Sequence, residues 1–114
     1  MEPPINPTSG APIATARHHR QDRRLTVEVI GEIDRATAPY VAAYVDDVVA
    51  EGDAVVALAV GEVTFCDSSG VRMILNLARA ADEAGRTFRL AKPSGEVLRT
   101  IEVCGASEVL AIDD

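Results

Sequence analysis

The segment AVVALAVGEVTFCDSSGV, residues 54–71, holds the strongest structural signal in the chain. Its first seven residues form a short apolar run, which is typical of a strand that is buried on both faces. Asp67 to Gly70 follow as a polar turn, and apolar residues at helical spacing come next. We therefore predict a central strand that leads through an exposed turn into a helix.

Upstream of this segment, the pattern predicts two strands and a helix. Residues 13–18 and 25–30 are joined by a polar stretch, and the second run alternates apolar and polar residues, so an antiparallel hairpin is expected. A helix can begin with Thr37 as its N-cap and Pro39 in its first turn. Gly52 is placed to end that helix.

Downstream, the helix after the turn should stop at Gly85, and Thr87–Ala91 alternates like a strand. Pro93-Ser94 opens a third helix that Gly105 ends, and residues 109–112 form a last strand. The order is β, β, α, β, α, β, α, β. It predicts an α/β fold with a mixed β-sheet of about five strands and helices packed chiefly on one face.

The composition limits the protein to one domain and few kinds of partner. With 114 residues and 47% hydrophobic content, it has room for one modest core, which we place in residues 13–114. Residues 1–12 contain four prolines and are predicted to be a flexible N-terminal tail without a signal peptide. The net charge of −7 argues against nucleic acid and membrane partners, and a cytoplasmic location is expected.

The turn from Asp67 to Gly70 is the one segment that carries chemistry. At the start of a helix it would present the Ser68 hydroxyl to a partner, and Gly70 would let another backbone approach closely. A phosphate on Ser68 would add roughly 1.5 to 2 negative charges beside Asp67, so docking over the turn should fail. The alternative is that Ser68 or Ser69 merely caps the helix.

Catalytic and metal sites are not expected. A nucleophile elbow at Ser68 needs glycine two residues earlier, where Cys66 stands. His18 and His19 are adjacent on a predicted strand, so their side chains point to opposite faces and at most one could reach a given serine. This argues against a catalytic triad and against a two-histidine metal site. We predict no enzyme activity, no metal and no cofactor.

A phosphoaspartate receiver domain is a competing fold, since Asp67 lies at a strand end and Lys92 is the only lysine. The predicted hairpin argues against it, because it breaks the regular alternation of strand and helix. Cys66 and Cys104 are expected to be reduced thiols in the core, and a redox bridge between them is a further possibility.

The sequence FCDSSGV at 65–71, with GEID at 31–34 and the Gly105 and 109–110 region downstream, resembles the anti-sigma factor antagonists of the STAS superfamily. The resemblance covers about residues 13 to 113. It implies that Ser68 is the phosphoacceptor, that Asp67 precedes it as in the family, and that Asp34 borders the same surface.

The same resemblance implies the partners. An anti-sigma factor with a histidine-kinase-like ATP-binding fold binds the unmodified antagonist and phosphorylates it, a sigma factor is released on docking, and a serine phosphatase resets the cycle. An alternative is a STAS scaffold or transport-system accessory module that Ser68 phosphorylation does not regulate.

This chain departs from the family pattern at two positions. At Cys66 the family often has a larger apolar residue, and at Arg72 it often has a small one. Arg72, one helical turn after Ser68, is a candidate to pair with the phosphate, because guanidinium binds phosphate in a bidentate manner. The predicted partner-binding surface comprises Asp34, Asp67, Ser68, Ser69, Gly70 and Arg72.

Overall fold

The computed structural model describes residues 14–113, so the predicted tail at 1–12 lies outside the described residues. It contains five strands and three helices. In chain order these are β1 (Ala14–Gln21), β2 (Arg24–Ile33), α1 (Ala38–Val48), β3 (Val55–Cys66), α2 (Ser68–Glu83), β4 (Thr87–Ala91), α3 (Gly95–Val103) and β5 (Ile112–Asp113).

The strands form one mixed sheet in the order β1-β2-β3-β4-β5. β1 is antiparallel to β2, and each later pair of neighbours is parallel. Each parallel pair is joined through a helix, as a crossover between parallel strands requires. The predicted hairpin and mixed sheet are confirmed, and the antiparallel first pair does not fit a receiver domain.

The core lies between the sheet and the helices. The strand register aligns Val27, Leu58 and Leu90 across three strands, and all three side chains are fully buried. α1 contacts β1, β2 and α2, while α2 contacts β3, β4 and α3, so the helices form one layer. This confirms the prediction of helices on one face, where burial of apolar side chains is the main stabilising contribution.

The opposite face of the sheet carries ion pairs over small side chains. Arg17 of β1 pairs with Glu28 of β2. The Arg24 guanidinium lies 3.5 Å from Oδ2 of Asp113 in β5. The other carboxylate oxygen of Asp113, Oδ1, accepts from Arg89 of β4. Charged side chains therefore cover this face in place of a second helical layer.

Several boundaries differ from the prediction. α1 ends at Val48, before Gly52, because the buried Asp53 carboxylate accepts from the Ala50 amide at 2.8 Å and holds the chain in a loop. β2 continues to Ile33 through two register shifts, and β3 continues beside it to Cys66. The long central strand carries the chain directly to the switch turn, by which we mean residues 67–69.

The last strand is shorter and later than predicted. Only Ile112 and Asp113 pair with β4. Val109 is 69% exposed and lies in a turn, where its amide donates to the Ala106 carbonyl at 3.2 Å. The predicted stop of α2 is confirmed, since Gly85 has a φ of 77° in the left-handed region that favours glycine.

None of the helices within residues 14–113 combines the length and apolar character that crossing a membrane requires.

Candidate functional site

Two loops meet at the carboxyl ends of β2 and β3. Residues 34–37 connect β2 to α1, and the switch turn connects β3 to α2. The Asp67 amide donates to the Ile33 carbonyl at 3.2 Å, which ties the two loops together. Crevices beyond the carboxyl ends of parallel strands are where α/β sheets commonly bind ligands and partners.

Asp67 is the N-cap of α2. Its Oδ1 accepts from the Ser69 amide at 2.9 Å and from the Gly70 amide at 3.2 Å. These amides belong to the first helical turn, where amides lack the usual acceptor four residues earlier, and the Gly70 amide also donates to the Asp67 carbonyl at 3.0 Å. The alternative that Ser68 or Ser69 caps the helix is therefore wrong, because the aspartate does so.

Ser68 is the first residue of α2 and is exposed. Because Asp67 supplies the cap, the Ser68 hydroxyl has no structural hydrogen bond to maintain within the described part of the chain. Ser69 is half-buried and faces the space between the two loops. The two neighbouring serines thus occupy different environments, and the first is the more accessible one.

Asp34 organises the neighbouring loop. Its Oδ1 accepts from the amides of Ala36 and Thr37, both at 2.9 Å. Thr37 was predicted to cap α1, but its hydroxyl donates to the Glu32 carbonyl at 2.8 Å and caps no helical amide. Thr37 thus occupies the predicted N-cap position without a side-chain capping hydrogen bond, and the Asp34 carboxylate stabilises the start of α1.

Gly70 lies beneath the switch turn and is buried. A Cβ at this position would stand 2.6 Å from Cys66 Sγ and 3.0 Å from Ile33 Cγ2. The missing side chain is therefore required by internal packing, where α2 begins against the ends of β2 and β3. This corrects the expectation that Gly70 makes room for a partner's backbone.

The surface beside the turn has two depressions. A recess of about 420 Å³ is lined by Asp34, Arg35, Ala36, Asp67 and Ser69. A groove of about 520 Å³ runs between α1 and α2, with Ser69, Arg35 and Arg72 at one end. Ser69 and Arg35 line both depressions, so the two adjoin at these side chains. We call the second one the α1/α2 groove.

Arg35 and Phe65 lie at the turn but were absent from the predicted surface. Arg35 is exposed in the loop before α1, and Phe65 is a 44% exposed aromatic side chain near the end of β3. Alternation along the strand could have indicated that Phe65 points opposite to buried Cys66. No local signal places Arg35 near Ser69, because two separate loops must first come together.

The two cysteines differ in environment. Cys66 is buried, and burial raises the pKa of its thiol to about 11, with the charges of Asp67 and Cys104 adding in the same direction. Cys104 is exposed just after α3, so the expectation of a second core thiol is wrong. Both are free thiols, and a redox bridge between them stays a prediction.

The histidines lie away from the turn on β1. The Nδ1 atom of His18 is 2.8 Å from the Tyr44 hydroxyl of α1. Within residues 14–113, no group of three or more His, Cys, Asp or Glu side chains could hold a metal ion. The chemistry offered at the turn is an accessible hydroxyl beside carboxylates and arginines.

Residues 15–114 match the STAS domain family. Among solved structures, an anti-sigma factor antagonist from Mycobacterium paratuberculosis superposes with a TM-score of 0.78 at 22% identity, covering 96% of this chain and 89% of that one. The anti-sigma factor antagonist SpoIIAA in its unphosphorylated form superposes with a TM-score of 0.70 at 19% identity, covering 87% and 88%.

Phosphorylated SpoIIAA, a Bacillus cell fate determinant, superposes with a TM-score of 0.64 at 17% identity, covering 87% of this chain and 91% of that one. At these identities the likeness establishes a common fold. No curated protein matches the chain significantly.

Proposed function

Because the chain belongs to the STAS domain family, we propose that it is an anti-sigma factor antagonist switched off by phosphorylation of Ser68. In its unmodified form it binds an anti-sigma factor and thereby releases a sigma factor. The protein works by binding, with no reaction of its own, and acts in the cytoplasm. The regulatory role of its structural neighbours supports this assignment.

The exposed Ser68 hydroxyl, freed from capping by Asp67, is the observation that carries the proposal. A kinase can reach this oxygen without unfolding the start of α2. The phosphate would place roughly two negative charges next to the Asp67 and Asp34 carboxylates. A partner seated over the turn would have to desolvate these charges, so the complex would dissociate.

The proposed interface consists of the exposed and half-buried side chains around the turn, namely Asp34, Asp67, Ser68, Ser69 and Arg72. Gly70 contributes by letting α2 begin close to the sheet, which positions Ser68 at the surface. The partner is an anti-sigma factor with a histidine-kinase-like ATP-binding fold that also acts as the Ser68 kinase. A serine phosphatase restores the binding form.

A relative that shares the fold supports this cycle. SpoIIAA is an anti-sigma factor antagonist and is known in both unphosphorylated and phosphorylated forms. Its fold superposes on this chain in each form. A modification that leaves the fold intact must act through the surface, which is how a phosphate on Ser68 would act here.

A phosphorylation assay tests the proposal. The purified protein is incubated with ATP and each candidate anti-sigma factor, and its intact mass is measured. We expect one added phosphate on wild type and on Ser69→Ala, and none on Ser68→Ala. A Ser68→Asp variant should bind the anti-sigma factor at least about tenfold more weakly, since about 1.4 kcal/mol of desolvation and repulsion is enough for that change.

The opposite results would point elsewhere. If no candidate transfers phosphate and Ser68→Asp binds its partner as tightly as wild type, the chain is a STAS scaffold or a transport-system accessory module. If both Ser69→Ala and Ser68→Ala gain one phosphate, the phosphorylated residue is neither of these two serines.

A further inference from the structure

Most arginines of this acidic chain are bound to internal acceptors. Six of the ten, within residues 14–113, donate to carboxylates or carbonyls that hold strands and loops together: Arg17, Arg20, Arg23, Arg24, Arg86 and Arg89. Within the same part of the chain, the guanidinium groups of Arg35, Arg72, Arg79 and Arg99 make no hydrogen bond or ion pair. Their charges are therefore available to a ligand.

Two of these four arginines converge. Arg35 extends from the loop before α1 and Arg72 from α2, and both line the α1/α2 groove at its Ser69 end. Arg35 also lines the recess that contains Asp67 and Asp34. Arg79 lies further along α2 and lines neither depression. Two unpaired cations thus flank the switch turn from separate elements.

Ser68 neighbours Arg72 on α2, and Arg35 lies across the adjoining depressions, where it lines the same surfaces as Ser69. Ser68 and Arg72 are four residues apart on α2, the spacing at which side chains of a helix are neighbours. Arg35 follows Asp34, whose carboxylate holds the adjoining Ala36 amide at 2.9 Å, so the backbone that carries Arg35 is anchored. The guanidinium itself is exposed and can turn towards the mouth of the groove.

We propose that Arg35 and Arg72 together bind the phosphate of phosphorylated Ser68 and thereby close the mouth of the α1/α2 groove. This inference rests on the proposed function, since it concerns the phosphorylated state of the same turn. Guanidinium groups bind phosphate through short, charge-assisted hydrogen bonds. One phosphate has enough oxygens for both arginines, so it would bridge the loop before α1 to the start of α2.

We call this pair of arginines on the phosphate the clamp. It would weaken partner binding in a second way, besides the added negative charge. With Arg35 and Arg72 drawn onto the phosphate, the apolar floor of the groove, which includes Met73 and Leu77, becomes less accessible to a partner. A carboxylate at position 68 is shorter and carries one charge, so it cannot bridge both arginines. Ser68→Asp should therefore weaken partner binding less than true phosphorylation does.

The test needs neither kinase nor partner. Phosphoserine is incorporated at position 68 during synthesis, and the second pKa of the phosphate, about 6 in free phosphoserine, is followed by ³¹P NMR against pH. The charged groups that line the two depressions beside the turn are Asp34, Asp46 and Asp67, which would raise this pKa if near the phosphate, and Arg35 and Arg72, which would lower it. We expect the value to be about 0.5 to 1 unit lower in the wild-type background than in the Arg35→Ala and Arg72→Ala double variant.

Controls separate a clamp from general electrostatics. Arg79→Ala removes an exposed arginine of the same helix outside the groove and should leave the phosphate pKa unchanged. Each single variant should give an intermediate value. The Nε–H signals of Arg35 and Arg72, assigned from the variants, should shift on phosphorylation, which a distant charge would not cause.

An equal phosphate pKa in wild type and double variant, or unmoved Nε–H signals, would overturn the clamp. The proposed antagonist function would survive that result, because transfer of phosphate to Ser68 decides it separately. Conversely, a clamp found in the encoded phosphoprotein would stand even if none of the tested anti-sigma factors proved to be the kinase.

Discussion

Cys66 and Gly70 share one small volume below the switch turn. The Cys66 thiol occupies the space that a side chain at position 70 would need, and it is 5% exposed. The thiol therefore acts as a packing group whose ionisation is suppressed by burial.

Alkylation with iodoacetamide at pH 8 should distinguish the two thiols. Cys104 is exposed and should be modified quickly. A pKa of about 11 leaves only about one thiolate in a thousand at Cys66, which is also shielded, so it should react only after unfolding. Mass spectrometry should show one label on native wild type, none on Cys104→Ser, and two labels on wild type in denaturant.

The same measurement bears on the predicted redox bridge between Cys66 and Cys104. Treatment with a mild oxidant such as diamide, followed by a non-reducing mass measurement, should show a loss of two hydrogens if the bridge forms. Two free thiols after oxidation would contradict the bridge and leave Cys66 as a packing group alone.

The start of α2 depends on one carboxylate. Asp67 accepts from two amides of the first turn, and its own amide donates to Ile33 of β2. It thus joins the helix end to the sheet while leaving the Ser68 hydroxyl free.

Asp67→Ala should lower the free energy of unfolding by about 1 kcal/mol, because the Ser69 amide loses its acceptor and the Gly70 amide keeps only the backbone carbonyl of residue 67. Chemical denaturation at pH 7 measures this change. Asp67→Ser keeps a capping oxygen and should lose less. The matched control is Asp82→Ala on the same helix, an exposed position where we expect a change within about 0.5 kcal/mol. Equal losses at positions 67 and 82 would contradict the capping role.

An ion pair between the exposed Arg20 and the buried Asp53 joins several elements just before β3, at the end of the domain opposite the switch turn. The Asp53 carboxylate, 4% exposed, accepts from Arg20 of β1 at 2.9 and 3.0 Å and from the Ala50 amide. Arg86 donates to the Asp53 and Ala50 carbonyls from beyond α2. The loop between α1 and β3 is thereby fixed to both sides of the fold.

Asp53→Asn should destabilise the protein by about 2 kcal/mol at pH 7, since a buried carboxylate that accepts from Arg20 and from the Ala50 amide loses its charge. The hydrogen bond from Arg20 lowers the pKa of Asp53 in the folded state, against the opposing effect of burial. A lowered folded pKa gives stability that is fully present above the unfolded value, about 3.9, and is lost as the pH falls through the folded value.

The difference in unfolding free energy between wild type and Asp53→Asn should therefore be smaller at pH 3 than at pH 7. Denaturant unfolding at the two pH values measures it. Asp47→Asn, at an exposed position on α1, should change stability by less than about 0.5 kcal/mol at either pH. A difference for Asp53→Asn that does not change with pH would contradict the proposed ion pair.

The order of elements, the α/β class and the position of the switch turn could all be predicted from the amino-acid sequence. Each depends on neighbours along the chain: the apolar run from residue 54, the helical spacing after Gly70, and the glycine at position 85 that ends α2. Hydrophobic periodicity and turn residues act over a few positions, so they leave a local pattern.

Contacts between distant residues decided the rest. α1 stops at Val48 because Arg20 and Asp53 hold the following loop, and the position of Cys104 outside the core depends on how α3 meets the sheet. Arg35 and Arg72 line the same groove only after the loop before α1 and the start of α2 pack together at the carboxyl ends of β2 and β3. Such contacts repeat at no fixed spacing, and their free energy depends on burial and geometry that exist only once the chain has folded.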